Sequence, residues 1–148
     1  MKQKFSPAVC TLWANRLIAL VLAVLLFTLP SLLELYCQVR ILDLEERVAI
    51  IIAFYCCAAI TAFALWHMDG LLRNILKGQV FIRQNVTKIR VLQYCCGLVS
   101  LVCLPAAIYY YPLVFVVVIM AFLCLAVSVV TQVMRAAVTI REENDLTI

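Results

Sequence analysis

The chain has 148 residues, of which 67% are hydrophobic and only 14% charged, with a formal net charge of +4. A water-soluble domain of this length must cover itself with polar groups and averages nearer half apolar and a quarter charged. Composition therefore excludes an ordinary soluble fold and makes lipid the solvent of most side chains; the length allows one domain, 1–148.

The N-terminal segment carries Lys2, Lys4 and Arg16 and leads into a first apolar span at about 17–36, whose only charge is Glu34 near its end. No small-x-small cleavage pattern follows in TLPSLLELYC, so the sequence predicts a retained helix rather than a removed signal peptide. The acidic stretch ILDLEER then forms the first loop. A second span at about 48–68 has no charge from Val48 to Trp66 and ends at Trp66 and His67, at headgroup level.

Span two does not stop at the membrane. In MDGLLRNILKG, Leu71, Leu72, Ile75 and Leu76 share one face and Arg73, Asn74 and Lys77 the other, which is helical spacing. Gly78 reads as the glycine just past the helix end and Asn85 as the N-cap of the next helix. The block between them, GQVFIRQN, holds Val80, Phe81 and Ile82, apolar residues in the middle of the most basic loop, 69–90.

From Val91 to Met134 there are 44 residues without Asp, Glu, Lys or Arg. A single helix of that length would be roughly 66 Å long, about twice the 30 Å of a hydrocarbon core, so the chain must fold back. The break falls at Tyr109-Tyr-Tyr-Pro112, because proline suits a first helical turn and tyrosine suits the interface. Spans three and four are thus placed at about 91–110 and 112–134, with Pro30 and Pro105 predicted to kink spans one and three. The tail, 135–148, ends in REENDLTI, an acidic run able to pair with the basic loop.

Helices rather than strands follow from the solvent, since each backbone amide must be satisfied within its own segment and no period-two alternation of barrel type is present. The expected fold class is all-α, a four-helix transmembrane bundle with span two extended into a cytoplasmic helix. Lys2, Lys4, Arg16, Arg73, Lys77, Arg83, Lys88, Arg90, Arg135 and Arg141 fall on one side of such a protein and only Arg40 and Arg47 on the other. That asymmetry puts both termini, the loop 69–90 and the tail in the cytoplasm.

Chemistry is sparse. Glu34 and His67 lie at span ends rather than at mid-membrane, where ionisable groups mark transport pathways. Six of the eight cysteines lie inside apolar runs; CxxC is absent and the adjacent pairs Cys56-Cys57 and Cys95-Cys96 splay about 100° apart on a helix. They read as small packing residues. Three glycines provide no phosphate loop, and one histidine provides no nucleophile triad. The sequence therefore implies no enzyme, no cofactor, no metal and no direct nucleic-acid binding. Thr28, Ser31, Thr61, Ser100, Ser128, Thr131 and Gln132 read as helix–helix contacts.

With four spans in about 150 residues, a GxxFxxxN loop (Gly78, Phe81 and Asn85, followed by Ile89 and Arg90) and a terminal EENDLTI, the chain resembles the bacterial Domain of Unknown Function 2975 family over nearly its whole length. The family has Thr after the Phe; this chain has Ile82. The resemblance implies a four-span protein of the bacterial plasma membrane, encoded beside small helix-turn-helix regulators of the Xre type. On that basis the partner-binding candidates are Gly78, Phe81, Ile82, Asn85 and Arg90 in the loop, and Glu143, Asn144, Asp145, Leu146, Thr147 and Ile148 in the tail. The expected function is a non-enzymatic regulatory partner of a cytosolic DNA-binding regulator, with the lipid bilayer as second partner and homo-oligomerisation left open. The alternative expectation is a small transporter or channel subunit, resting on Glu34 or His67.

Overall fold

The structure is a computed structural model that describes residues 7–39 and 43–146. Four helices follow one another, α1 (Pro7–Val39), α2 (Leu44–Leu76), α3 (Arg83–Tyr109) and α4 (Leu113–Leu146). All four are long and apolar enough to cross a membrane. The described residues contain no strand, so the all-α expectation holds.

All four helices outrun the hydrocarbon. The 33 residues of α2 make a rod of about 50 Å, against about 30 Å of lipid core. Its start lies earlier than hydropathy indicates because Asp43 stands at the N-cap position and Glu45 and Glu46 occupy the first turn, where the helix dipole favours carboxylates. Most of the ILDLEER loop is therefore helix. At the far end α2 extends past Trp66 to Leu76, as the amphipathic spacing predicts. The tail, too, is helix: α4 continues unbroken to Leu146 and buries Val138. Pro30 and Pro105 each lie inside a continuous helix.

Packing follows chain order. Among the described residues α1 packs on α2, α2 on α3 and α3 on α4. The third helix is the most buried, with 28% of its most apolar stretch buried against 6% for α1 and 0% for α4. Its inward residues Val86, Ile89, Cys95, Val99, Cys103 and Ala106 form the core with Ala53, Ala58, Leu71 and Leu72 of α2. Phe27 on α1 and Phe115 on α4 stand 86% and 74% exposed. Water would penalise such faces heavily; hydrocarbon does not.

Polar groups inside the spans are satisfied locally or across helices. Proline at position 30 cannot donate to the carbonyl of Leu26, four residues back, and Tyr55 of α2 donates its hydroxyl to that oxygen at 3.3 Å. Ser100 donates from α3 to the carbonyl of Val117 on α4 at 3.1 Å, while Thr28 and Thr131 bond back into their own helices. Sulfurs of Cys57 and Cys103 meet across α2 and α3 at 3.5 Å as free thiols. Cys95 is buried, and the side chain of Cys37 lies outside the described residues.

Both ends of the layer are tied by side chains. Toward one end Asn15 of α1 reaches Leu65, about three turns before the end of α2, and Arg83 at the start of α3 meets Glu142 near the end of α4. At the other, the hydroxyls of Tyr36 and Tyr110 lie 3.2 Å apart. The first end, with the start of α1, the 77–82 loop and the end of α4, holds nearly all the Lys and Arg among the described residues and is called the basic end below.

Candidate functional site

The loop at the basic end is six residues, 77–82, because α2 and α3 extend into the segment read as loop. Its geometry starts with how α2 stops. Gly78 has φ +76°, its N–H donates to the carbonyl of Ile75 at 3.0 Å, and the N–H of Gln79 donates to that of Asn74 at 3.0 Å. Paired 5→2 and 6→1 bonds around a left-handed glycine form a Schellman termination, and only glycine takes that φ without steric cost. Gly78 is thus the helix-ending residue that the sequence predicts.

Asn85 is not the N-cap that the sequence suggests. Ile82 holds that position, with φ −126° and ψ 148°, and Asn85 lies inside the first turn of α3, its N–H bonded to the Ile82 carbonyl at 3.0 Å. Its side chain turns back into the hairpin, fully buried. The amide donates to the carbonyls of Gln79 at 2.7 Å and Val80 at 2.9 Å, and its oxygen accepts from the Asn74 amide of α2 at 2.9 Å. Both donors are used. The chain needs this residue because carbonyls in a loop that turns back under helices have no helical partner, and an unsatisfied buried one is costly. A buried, bifunctional amide closes the whole loop on itself.

With the backbone fixed this way, Phe81 stands 44% exposed between a buried Asn85 and a half-buried Ile82. Its exposure follows from the loop path, since the clasp turns the carbonyls of Gln79 and Val80 inward.

The tail reaches the same loop. Arg83 donates through Nε to Glu142 Oε1 at 2.9 Å and through Nη2 to Oε2 at 2.7 Å, a forked ion pair. Each charge is badly placed on its own helix, a cation in the first turn of α3 and an anion near the end of α4. Each is well placed on its neighbour, because the helices are antiparallel and the start of α3 meets the end of α4. Hydrogen bonding from Arg83 holds the Glu142 carboxyl below the usual carboxylate range, and the same bonds raise the guanidinium above its own.

The candidate residues divide accordingly. Gly78, Phe81, Ile82 and Asn85 come together in one hairpin. Arg90 lies two turns along α3, half-buried. Glu143 and Asn144 are exposed on the last turns of α4, whose backbone extends to Leu146. The side chains of Asp145 and Leu146, and Thr147 and Ile148 altogether, lie outside the described residues. Asn74 is the contributor that the sequence did not place in the site; Arg83 and Glu142 lie within the basic loop and the acidic tail that were expected to pair, without being named as the pair.

A second polar cluster lies beside α1. Asn15, buried, donates to the Leu65 carbonyl at 3.2 Å; Asp69 pairs with Arg73 at 2.7 Å and has Arg16 at 3.9 Å. These residues line a cleft of about 730 Å³ between α1 and α2. Elsewhere, Glu34 is exposed on α1, and Nδ1 of His67 lies 3.1 Å from the Phe63 carbonyl of its own helix. No three His, Cys, Asp or Glu side chains gather among the described residues.

Four helices long and apolar enough to span a bilayer, with their charges gathered toward the ends, define a multi-pass membrane protein. The profile of the family described as "Protein of unknown function (DUF2975)" matches residues 42–148, and the chain belongs to that family. The match takes in α2, α3, α4 and the whole hairpin and begins after α1. Neither a curated protein nor a solved structure matches the chain.

Proposed function

We propose that the protein is a non-enzymatic membrane component of a bacterial plasma membrane whose basic end faces the cytoplasm and binds a cytosolic partner. The observation that carries this reading is the contrast within the hairpin: Asn85 is fully buried and locks the backbone, while Phe81 on that backbone stands 44% exposed. A side chain fixed on a rigid loop loses little conformational freedom on binding, and buried aromatics commonly dominate interface energies. The excess of Lys and Arg at this end supports the orientation. The last turns of α4, tied to the hairpin through Glu142, add Glu143 and Asn144 to the same surface.

A small helix-turn-helix DNA-binding regulator is the partner that fits the family resemblance. The test is recovery of that regulator by the wild-type protein, by Phe81→Ala, and by a chain ending at Asn144, which keeps the Arg83–Glu142 pair. Recovery by the wild type and loss with Phe81→Ala supports the reading; equal recovery by all three removes it.

A further inference from the structure

We propose that the cleft between α1 and α2 binds a single anionic phospholipid, with its phosphate-bearing headgroup at the charged mouth and an acyl chain along the apolar wall. Two zones make the cleft amphipathic. Arg16, Asp69 and Arg73 form the mouth, and Leu22, Ala62 and Leu65 continue it toward the bilayer interior. On α2 the lining positions 62, 66, 69 and 73 recur at helical spacing, so they form one stripe about 16 Å long, parallel to a lipid's own axis.

The charge balance selects an anion. Asp69 is a single carboxylate already bonded to Arg73 at 2.7 Å, and the second arginine, Arg16, stands 3.9 Å from it. A third cation arrives over Gly70, a residue of the cleft lining: a Cβ there would meet the Lys88 Nζ at 2.9 Å. The missing side chain lets the ammonium reach the rim from α3. Among the described residues Lys88 has no carboxylate partner. Two arginines thus face one carboxylate in the lining, with the Lys88 ammonium beside Gly70 as a third cation, at the depth marked by Trp66, itself 80% exposed on the lining. Basic pockets between membrane helices at headgroup depth attract anionic lipid, each Lys or Arg adding severalfold. Guanidinium forks suit a phosphate.

The test uses the full chain in phosphatidylcholine vesicles in a Trp13→Phe background, which leaves Trp66 as the only tryptophan. Brominated phosphatidylglycerol should quench Trp66 at about a tenfold lower mole fraction than brominated phosphatidylcholine. The preference should vanish in Arg73→Gln/Lys88→Gln and weaken in Lys88→Gln alone, which breaks no ion pair. It should persist in Arg141→Gln, which removes a charge elsewhere at the same end. Added inorganic phosphate should leave the quenching in place. Equal quenching by the two lipids, or a preference that survives the double substitution, overturns the proposal. Relief by inorganic phosphate also overturns it and reassigns the mouth to a soluble phosphate compound.

Discussion

Two buried asparagines hold two regions of this molecule, and they do so differently. Asn85 makes three hydrogen bonds, to Gln79, Val80 and Asn74, and closes the α2–α3 hairpin from inside. Asn15 donates one bond, to the Leu65 carbonyl, and ties a helix that is otherwise 6% buried along its most apolar stretch. In the hairpin a polar side chain replaces bonds that the loop backbone cannot make for itself. Around Asn15 both helices run unbroken and bond their own backbones, so the asparagine only fixes where one rod lies against another. The contrast separates a hairpin whose path depends on one residue from a helix whose position depends on a few contacts. The family match falls on the same line, since it includes the hairpin and begins after α1.

The comparison breaks first at Asn85. Asn85→Ala leaves two loop carbonyls and the Asn74 amide without partners and should cost about 2–4 kcal/mol, since each orphaned group costs on the order of 1–3 kcal/mol and some recover water. Denaturation in mixed detergent micelles reads the loss. Asn15→Leu should cost about 1 kcal/mol or less, the usual worth of one interhelical hydrogen bond in lipid. Spin-label distances between α1 and α2 should broaden while the hairpin stays closed. If the two substitutions cost the same, the distinction between the regions is wrong.

The legible parts of the fold were those whose cause is local. Apolar runs of membrane length, the break before Pro112, the extension of α2 past Trp66 and the left-handed turn at Gly78 each follow from residues within a few positions of one another. The role of Asn85 was misread because an asparagine ahead of a helical pattern looks like an N-cap. Its real partners become visible only once the path of residues 79 and 80 is known. The helical tail escaped notice for a related reason: REENDLTI has no strong helical pattern of its own, and Glu142 finds Arg83 59 positions away. The Asn15 contact spans 50 positions. In a membrane protein most side chains share one solvent, so hydropathy places the rods well and carries little about which polar groups meet between them.

The smallest effect concerns the link between tail and hairpin, and its sign follows from the carboxylate. Arg83 holds the Glu142 carboxyl below the usual range, so the pair favours the folded arrangement at every pH above the ordinary glutamate value of about 4.3. That contribution fades as pH falls through the lowered value. The guanidinium is raised above an already high value and stays charged throughout. Both partners are solvent-exposed, so salt should weaken the pair as well. Amide exchange over residues 139–144, corrected for intrinsic rates, should be level from neutral pH to about 5 and rise only below about 4. In Glu142→Gln the same amides should exchange faster than in the wild type near neutral pH and show no such rise, so that the two profiles converge in acid. A wild-type profile as flat as that of the glutamine variant would mean that the tail is held without help from the ion pair, which would then contribute nothing to the surface on which Phe81 stands.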